Sequence, residues 1–216
     1  ANCTACGKCY AVCPDSALPG LVNTQSEVLE TTIKMVEDAG HPVKHLQKTQ
    51  HSLKRTLHSI LESGGEDLDV KAAMDQAITQ TLNSADADIQ EELGQELEWF
   101  KEAMGDFKFS LTKPYFSLKE KSTAGSGGLF SITVNPYTCK GCMECVEVCG
   151  DDALAPVVQT KDSIKRLQDD WNYWLSLPTT SEEYSRIDDI DECIGALDTL
   201  LLDKTNYMSL LSGDGA

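Results

Sequence analysis

Positive charge, aromatic side chains and long apolar runs are all scarce in this chain. Its 216 residues carry 18 Lys and Arg against 35 Asp and Glu, a formal net charge of −17. Such an acidic surface repels phosphates, so nucleic acid is not an expected partner. No apolar stretch approaches the roughly 18 to 20 residues that a membrane helix needs, so no membrane span is expected. No secretory pattern is evident, which argues against a small secreted domain held by disulfides. Aromatic residues make up 6% of the chain and fall largely in two patches, read as local packing centres.

Cysteine is what stands out. Cys3, Cys6, Cys9 and Cys13, followed by Pro14, read C-x2-C-x2-C-x3-C-P. Cys139, Cys142, Cys145 and Cys149 repeat the spacing, with Gly150 where the proline would stand. Three closely spaced thiolates on a tight loop can each reach one iron of a cube, and a second copy of the motif can supply the fourth ligand reciprocally. The run resembles that of bacterial two-cluster ferredoxins, in which the fourth cysteine of each run ligates the other cluster. The resulting assignment puts one [4Fe-4S] cluster on Cys3, Cys6, Cys9 and Cys149. The other falls on Cys139, Cys142, Cys145 and Cys13. Zinc is the blander reading, but zinc sites usually pair C-x2-C knuckles across a longer spacer, and neither run has histidine partners. Thiolates that must stay reduced and air-sensitive clusters point to the cytoplasm. Gly7 and Gly141 are read as equivalent positions where backbone passes close to sulfur.

The fold class expected is α+β: a bacterial two-cluster ferredoxin-like core with a long, mainly α-helical insertion and C-terminal helices. Residues 1–20 form the first half of the core, 21–105 the helical insertion, and 106–128 a strand with a flexible Gly/Ser-rich connection. Residues 129–160 form the second half, and 161–216 a helical segment leading toward a further domain. Because the chain opens inside a ligand loop and stops abruptly, it reads as a piece of a longer polypeptide. Within the insertion, a helix capped by Ser26 carries Val28, Ile33, Met35 and Val36 and ends at Gly40 and Pro42. Further helices are expected over 43–62 and 68–82, and a fourth carries Ile89, Leu93, Leu97, Phe100 and Met104. Phe107, Phe109 and Leu111 alternate, as do residues 129–134, so the two segments are expected to pair as a hairpin with a mobile tip. Asp151-Asp152-Ala153-Leu154 mirrors Asp15-Ser16-Ala17-Leu18, which implies pseudo-twofold symmetry. Two more helices hold Ile164, Leu167, Trp171 and Trp174, then Tyr184, Ile187, Ile190, Ile194, Leu197 and Leu201.

The remaining reactive residues read mostly as structural. Cys193 lies on an apolar helix face, where a free cysteine packs as a small hydrophobe. Trp171 and Trp174 are read as core anchors, and the acidic pairs at 182–183, 188–189 and 191–192 as solvated. His41, His45, His51 and His58 share a window with Lys44, Lys48, Lys54 and Arg55 and no acid. That window carries +4 while the remainder carries −21 (−17 − 4). It reads first as a solvated face and second as a docking strip for an acidic electron carrier. A metal site on His41 and His45 is weaker, because Pro42 distorts the turn between them.

Two tetrads split by a long insertion, with Gly150-Asp151-Asp152-Ala153-Leu154 and Gln159-Thr160 after the second, resemble the ferredoxin-like domain of pyruvate:ferredoxin (flavodoxin) oxidoreductases. Ser212-Gly213-Asp214-Gly215-Ala216 resembles the stretch ahead of that family's thiamine-diphosphate domain. The resemblance implies a CoA-acylating 2-oxoacid oxidoreductase, with pyruvate the expected substrate, in which the eight cysteines hold the two outer clusters. Thiamine diphosphate, magnesium and a further [4Fe-4S] cluster would belong to other domains of the parent. The implied partners are those domains and an external ferredoxin or flavodoxin, with a homo-oligomeric parent. The alternative is a ferredoxin-type interaction subunit docking another redox enzyme such as a hydrogenase or reductase.

Overall fold

The structure is a computed structural model that describes residues 2–65, 68–185, 203–205 and 207–208. Several of its longer helices begin where some side chain can take the free N–H groups of a first turn. After a short helix α1 (Lys8–Val12) and a strand β1 (Gly20–Asn23), α2 spans Gln25–Asp38. Its cap is Thr24, not Ser26. The Thr24 hydroxyl accepts from the Glu27 N–H (3.2 Å), and the Glu27 carboxylate accepts from the Thr24 N–H (2.7 Å). Thr24-x-x-Glu27 satisfies two donors at once, which Ser26 had no partner to do.

Helix α3 (Lys44–Gly64) starts at Val43, which has no capping side chain. The cap arrives from elsewhere: Glu96, on α5 (Gln90–Met104), accepts from the backbone N–H of His45 (2.9 Å) and of Leu46 (2.6 Å). Between them, α4 (Val70–Asn83) is capped by Asp69, which accepts from the N–H groups of Lys71 and Ala72. Leu46, Leu53, Leu57 and Leu61 of α3 interlock with Leu93, Leu97 and Phe100 of α5 and with Ala73, Met74 and Ala77 of α4. The insertion therefore supplies most of the main core.

The stretch after α5 departs from expectation. Phe107, Phe109 and Leu111 are all buried, yet they form no strand; a single antiparallel bridge joins Ser110 to Phe130. Pro114 instead opens a π-helical turn (Lys113–Ser117) that runs into α6 (Leu118–Ser122). The Gly/Ser-rich connection is pinned, not loose. The Glu120 carboxylate accepts from Gly125 N–H (2.8 Å) and Gly127 N–H (2.7 Å), and Gly128 N–H donates to the Tyr115 carbonyl (2.9 Å).

Strand β2 (Leu129–Ile132) finds its main partner in β1, antiparallel, with Gly20 opposite Ile132 and Asn23 opposite Leu129. That pairing crosses the expected boundary at residues 20 and 21. Successive side chains of a strand face opposite ways. Leu21 and Leu129 join the helical core, while Val22 and Phe130 join a second cluster with Ala5, Tyr115 and Tyr184, against Cys3 and Tyr10. The sheet is thus the wall between the helical body and the cysteine loops. The outer edge of β1 is closed by Thr180, whose hydroxyl accepts from Val22 N–H (2.9 Å), and by Pro178, whose carbonyl accepts from the Asn23 amide (3.0 Å).

Beyond α7 (Glu144–Glu147), α8 (Lys161–Ser176) buries Trp171, Tyr173 and Trp174 in the main core, and α9 (Glu182–Ser185) follows. Tyr173 OH and Thr32 Oγ1 meet at 2.7 Å, tying α8 to α2. Cys193 and the apolar positions expected from Ile187 to Leu201 lie outside the described residues. Among the described residues no helix is long and apolar enough to cross a membrane.

The cap supplied by Glu96 is a buried, charge-assisted pair of hydrogen bonds. Glu96→Ala should therefore cost about 2–4 kcal/mol, since it orphans two buried N–H groups. Glu92→Ala removes only a mostly exposed partner of His45 (side chain 70% exposed) and should cost under about 1 kcal/mol. Urea unfolding of the two variants gives the comparison; equal losses would remove Glu96 from its capping role.

Candidate metal centres

The second cysteine loop repeats the first position by position, with Cys3 falling on Cys139 and Cys13 on Cys149. Ala5, Gly7 and Ser16 have left-handed backbone at φ 61°, 70° and 46°; their counterparts in that alignment, Gly141, Met143 and Asp152, have φ 67°, 69° and 51°. Gly7 and Gly141 are thus not equivalent. Gly7 corresponds to Met143, and Gly141 to Ala5. Each loop needs two left-handed residues between its first and third cysteines and spends its one glycine on a different one. The short helices α1 and α7 start at the same point of the repeat, just after Gly7 and just after Met143.

The loops also clasp each other symmetrically. Thr4 Oγ1 donates to the Asp151 carboxylate at 2.8 Å, and Lys140 Nζ donates to the Asp15 carboxylate at 2.6 Å. In both cases the residue after a tetrad's first cysteine reaches the carboxylate two places beyond the other tetrad's fourth. The Ala17 N–H donates to Cys13 Sγ (3.2 Å), and the Ala153 N–H donates to Cys149 Sγ (3.3 Å).

Two cavities open in this clasp. Cys3, Cys6, Cys9 and Cys149 line one; Cys13, Cys139, Cys142 and Cys145 line the other. Each ring takes three thiols from one tetrad and the fourth from the other, and Leu154 lines both cavities. The first is tighter, about 30 Å³ against about 150 Å³, so a bulky group there requires its loop to open. All eight thiols are free. Among the described residues no three or more His, Cys, Asp and Glu side chains gather as a site for a single metal ion. The donor set, eight free thiols in two rings with backbone N–H groups aimed at sulfur, fits two iron–sulfur cubes.

Three of the thiols, Cys3, Cys9 and Cys145, are held toward their protonated form. Burial pushes Cys9 up to about 12, with the thiol of Cys3 adding to it, and those of Cys6 and Cys145 contributing further. Burial also raises Cys3, helped by Cys6 and Cys149, and raises Cys145, helped by Cys13, Cys139 and Cys142. A metal taking these sulfurs as thiolates must displace protons, so loading should be favoured as pH rises.

Other candidate sites are less suited to chemistry. An open cleft of about 400 Å³ is lined by Lys71, Asp106, Arg166, Asp169 and Asp170, but by no cysteine, histidine or serine. Lys71 is bound there to Asp106 (2.5 Å) and to the Gly105 carbonyl (2.8 Å). The histidines do not converge. His41 stacks on Trp99 at 4.3 Å, the buried His45 ring meets Glu92 at 2.7 Å, and His58 meets Gln25 at 3.1 Å. Lys44, Lys48, Lys54 and Arg55 are exposed on α3, a helix of the body behind the sheet, not beside the thiols. Trp171 and Trp174 stack at 5.0 Å inside the core. No family model, curated protein or solved structure matches the chain.

Backbone handedness and burial each make a measurable difference here. Gly141→Ala places an L-residue at φ 67° with open space around it, so the backbone alone should cost about 1–2 kcal/mol. Met143→Gly should change stability by less than about 1 kcal/mol, because relieved strain offsets the entropy of glycine. Thermal melts of both variants test the repeat; a neutral Gly141→Ala would contradict it. Asp170 is held up at about 6 by burial, then by Asp106 and Asp169. Its folded value exceeds its unfolded one, so folding takes up a proton between about pH 4 and 6, and stability falls as pH rises through that window. Asp170→Asn should flatten that slope and add about 1 kcal/mol at pH 7, a figure discounted because the group is partly solvated. Melting temperatures from pH 4 to 7 for both proteins read it directly.

Proposed function

We propose that this chain is an electron relay of the two-cluster ferredoxin type, holding two [4Fe-4S] clusters in its two thiol rings. The observation that supports this most is the crossing: Cys149 stands with Cys3, Cys6 and Cys9, while Cys13 stands with Cys139, Cys142 and Cys145. Bound there, each cube would accept and release single electrons. With all eight thiols used as ligands, no iron is left open to a substrate, so relay is the function and catalysis lies elsewhere. The Ala17 and Ala153 N–H groups, aimed at Cys13 and Cys149, would stabilise the added negative charge of the reduced state and raise the potential. Leu154, between the cavities, would keep water from the short path joining them.

The second ring is the proposed outlet. Cys139 and Cys142 are exposed, and Tyr137 beside them is 71% exposed. The basic strip on α3 suits a neighbouring protein surface better than an electron exit, because the sheet separates it from the thiols. The resemblance of the motif order and of the C-terminal stretch extends the proposal to a parent enzyme. The chain would be the ferredoxin-like domain of a 2-oxoacid, most simply pyruvate, oxidoreductase acting with thiamine diphosphate and coenzyme A. An external ferredoxin or flavodoxin would receive the electrons, and the relay would work in the cytoplasm.

Anaerobic reconstitution should load about eight irons and eight sulfides per chain, with a broad visible absorption that dithionite bleaches. Cys13→Ser should damage the cluster held by Cys139, Cys142 and Cys145 and leave the other largely intact, as read by electron paramagnetic resonance of the reduced protein. Stoichiometric zinc without sulfide would overturn the proposal. Loss confined to the cluster beside Cys3 would overturn the crossing.

A further inference from the structure

Charge is sorted between two helices of the insertion. On α3, Lys44, Lys48, His51 and Arg55 follow one another at i, i+4, i+7 and i+11, and all four are exposed. That spacing keeps them in one row about 16 Å long, on the side of the helix away from the buried Leu46, Leu53, Leu57 and Leu61. On α5, Glu91, Gln95, Glu98 and Glu102 repeat the spacing. They too are exposed, on the side away from the buried Leu93, Leu97, Phe100 and Met104.

These charges find little use within the chain. Lys44, Lys48 and Arg55 make no ion pair among the described residues, although Asp and Glu outnumber Lys and Arg by 35 to 18. Glu91 and Glu102 make none there either. Glu98 reaches its helix neighbour Lys101 (2.7 Å), an exposed i,i+3 contact that is easily exchanged. Neither row holds an exposed large apolar side chain, so charge is what each offers a partner.

Laid antiparallel, the two rows complement each other. Lys44 then faces Glu102, Lys48 faces Glu98 and Arg55 faces Glu91, while His51 falls on the one amide, Gln95. A parallel arrangement would waste Lys48 on Gln95. The rows of one chain cannot meet, because each lies on the outward side of its helix, opposite the core that α3 and α5 share. We propose that the outward face of α3 docks antiparallel on the outward face of α5 of a second copy of this chain. Nothing in this docking depends on the presence of iron. The net charge of −17 on each copy opposes association, but salt at about 0.1 M screens that repulsion beyond about 10 Å, whereas the facing side chains lie within that range. One helix-on-helix contact is small, so association should be weak and seen at high protein concentration.

Sedimentation of the full 216-residue chain at about 0.1 M salt should show a mass that climbs above that of one chain as concentration rises. Salt at about 1 M, where the screening length is about 3 Å, should abolish the climb. A variant with Lys44→Glu, Lys48→Glu and Arg55→Glu should self-associate about tenfold more weakly or worse, as should one with Glu91→Lys, Glu98→Lys and Glu102→Lys. An equal mixture of the two variants should regain association, since each offers the other rows of opposite sign, and that recovery shows both to be folded. Carbodiimide cross-linking of mixed unlabelled and nitrogen-15-labelled chains reads the register. Lys44–Glu102 and Lys48–Glu98 amides should join chains of different isotope and predominate over Lys44–Glu91. A single-chain mass at every concentration overturns the proposal, as does association that survives about 1 M salt or either set of reversed charges. Lys48–Glu98 links confined to chains of one isotope overturn it as well.

Discussion

Two loops far apart in the sequence, one opening at Cys3 and the other at Cys139, interlock, and the rest of the molecule has to permit that meeting. Closing the 125 residues between Cys13 and Cys139 (139 − 13 − 1) costs about 4 kcal/mol in chain entropy by the usual logarithmic scaling. Other parts of the fold offset that cost before the loops meet. The intervening chain supplies most of the main core, its ends are paired as β1 and β2, and the Thr32–Tyr173 hydrogen bond joins the helices that follow each loop. The clasp of Thr4 with Asp151 and Lys140 with Asp15 then acts between parts already held near each other. Exposed polar contacts of this kind are individually weak, so they align the loops more than they hold them.

The repeat explains why the loops can interlock while their sequences differ. What the two copies share is backbone handedness: left-handed at the second residue after the first cysteine, at the residue after the second cysteine, and at the third residue after the fourth. Glycine meets this demand most cheaply, but each loop uses it only once between its first and third cysteines, and Ala5 and Met143 take the strain instead. The shared quantity is a turn geometry that aims thiols inward, and residue identity serves it imperfectly.

Much of this was legible in the sequence, and the failures have causes. The tetrads, the four helices of the insertion and the turn at Asn135 were readable because cysteine spacing and apolar period are local signals. The cap of α3 was not, since its carboxylate comes from Glu96, 51 residues beyond His45 (96 − 45). Strand β1 is not legible because Gly20-Leu21-Val22-Asn23 is too short to show alternation, and both its faces are buried. Phe107, Phe109 and Leu111 alternate as a strand would, yet β2 already has β1 along one edge and only Ser110 reaches the other. The Gly/Ser-rich stretch looked mobile because nothing in its composition reveals the Glu120 carboxylate that pins it. At the thiols, matching glycine to glycine misaligns the two loops by two positions, because handedness matches Gly7 to Met143 and Ala5 to Gly141.

The register of one short sheet therefore carries more than its size suggests. Leu21 and Leu129 point into the helical body, and Val22 and Phe130 point toward Cys3. A slip of one residue would exchange those faces, pulling apolar side chains out of both clusters at once. Four features oppose a slip: the carbonyls of Ala17 and Pro19 are engaged by Asn135 and Thr133, Asn23 is locked to Pro178, and Val22 N–H is held by Thr180. Asn135 adds a further constraint, because its side chain accepts from Tyr137 N–H (2.9 Å) while its carbonyl accepts from Cys139 N–H (3.1 Å). The last ladder residue thereby becomes the first residue of the turn into the second tetrad. Strand register and thiol position are one constraint, and the helical insertion can vary in sequence so long as it delivers β1 and β2 in phase.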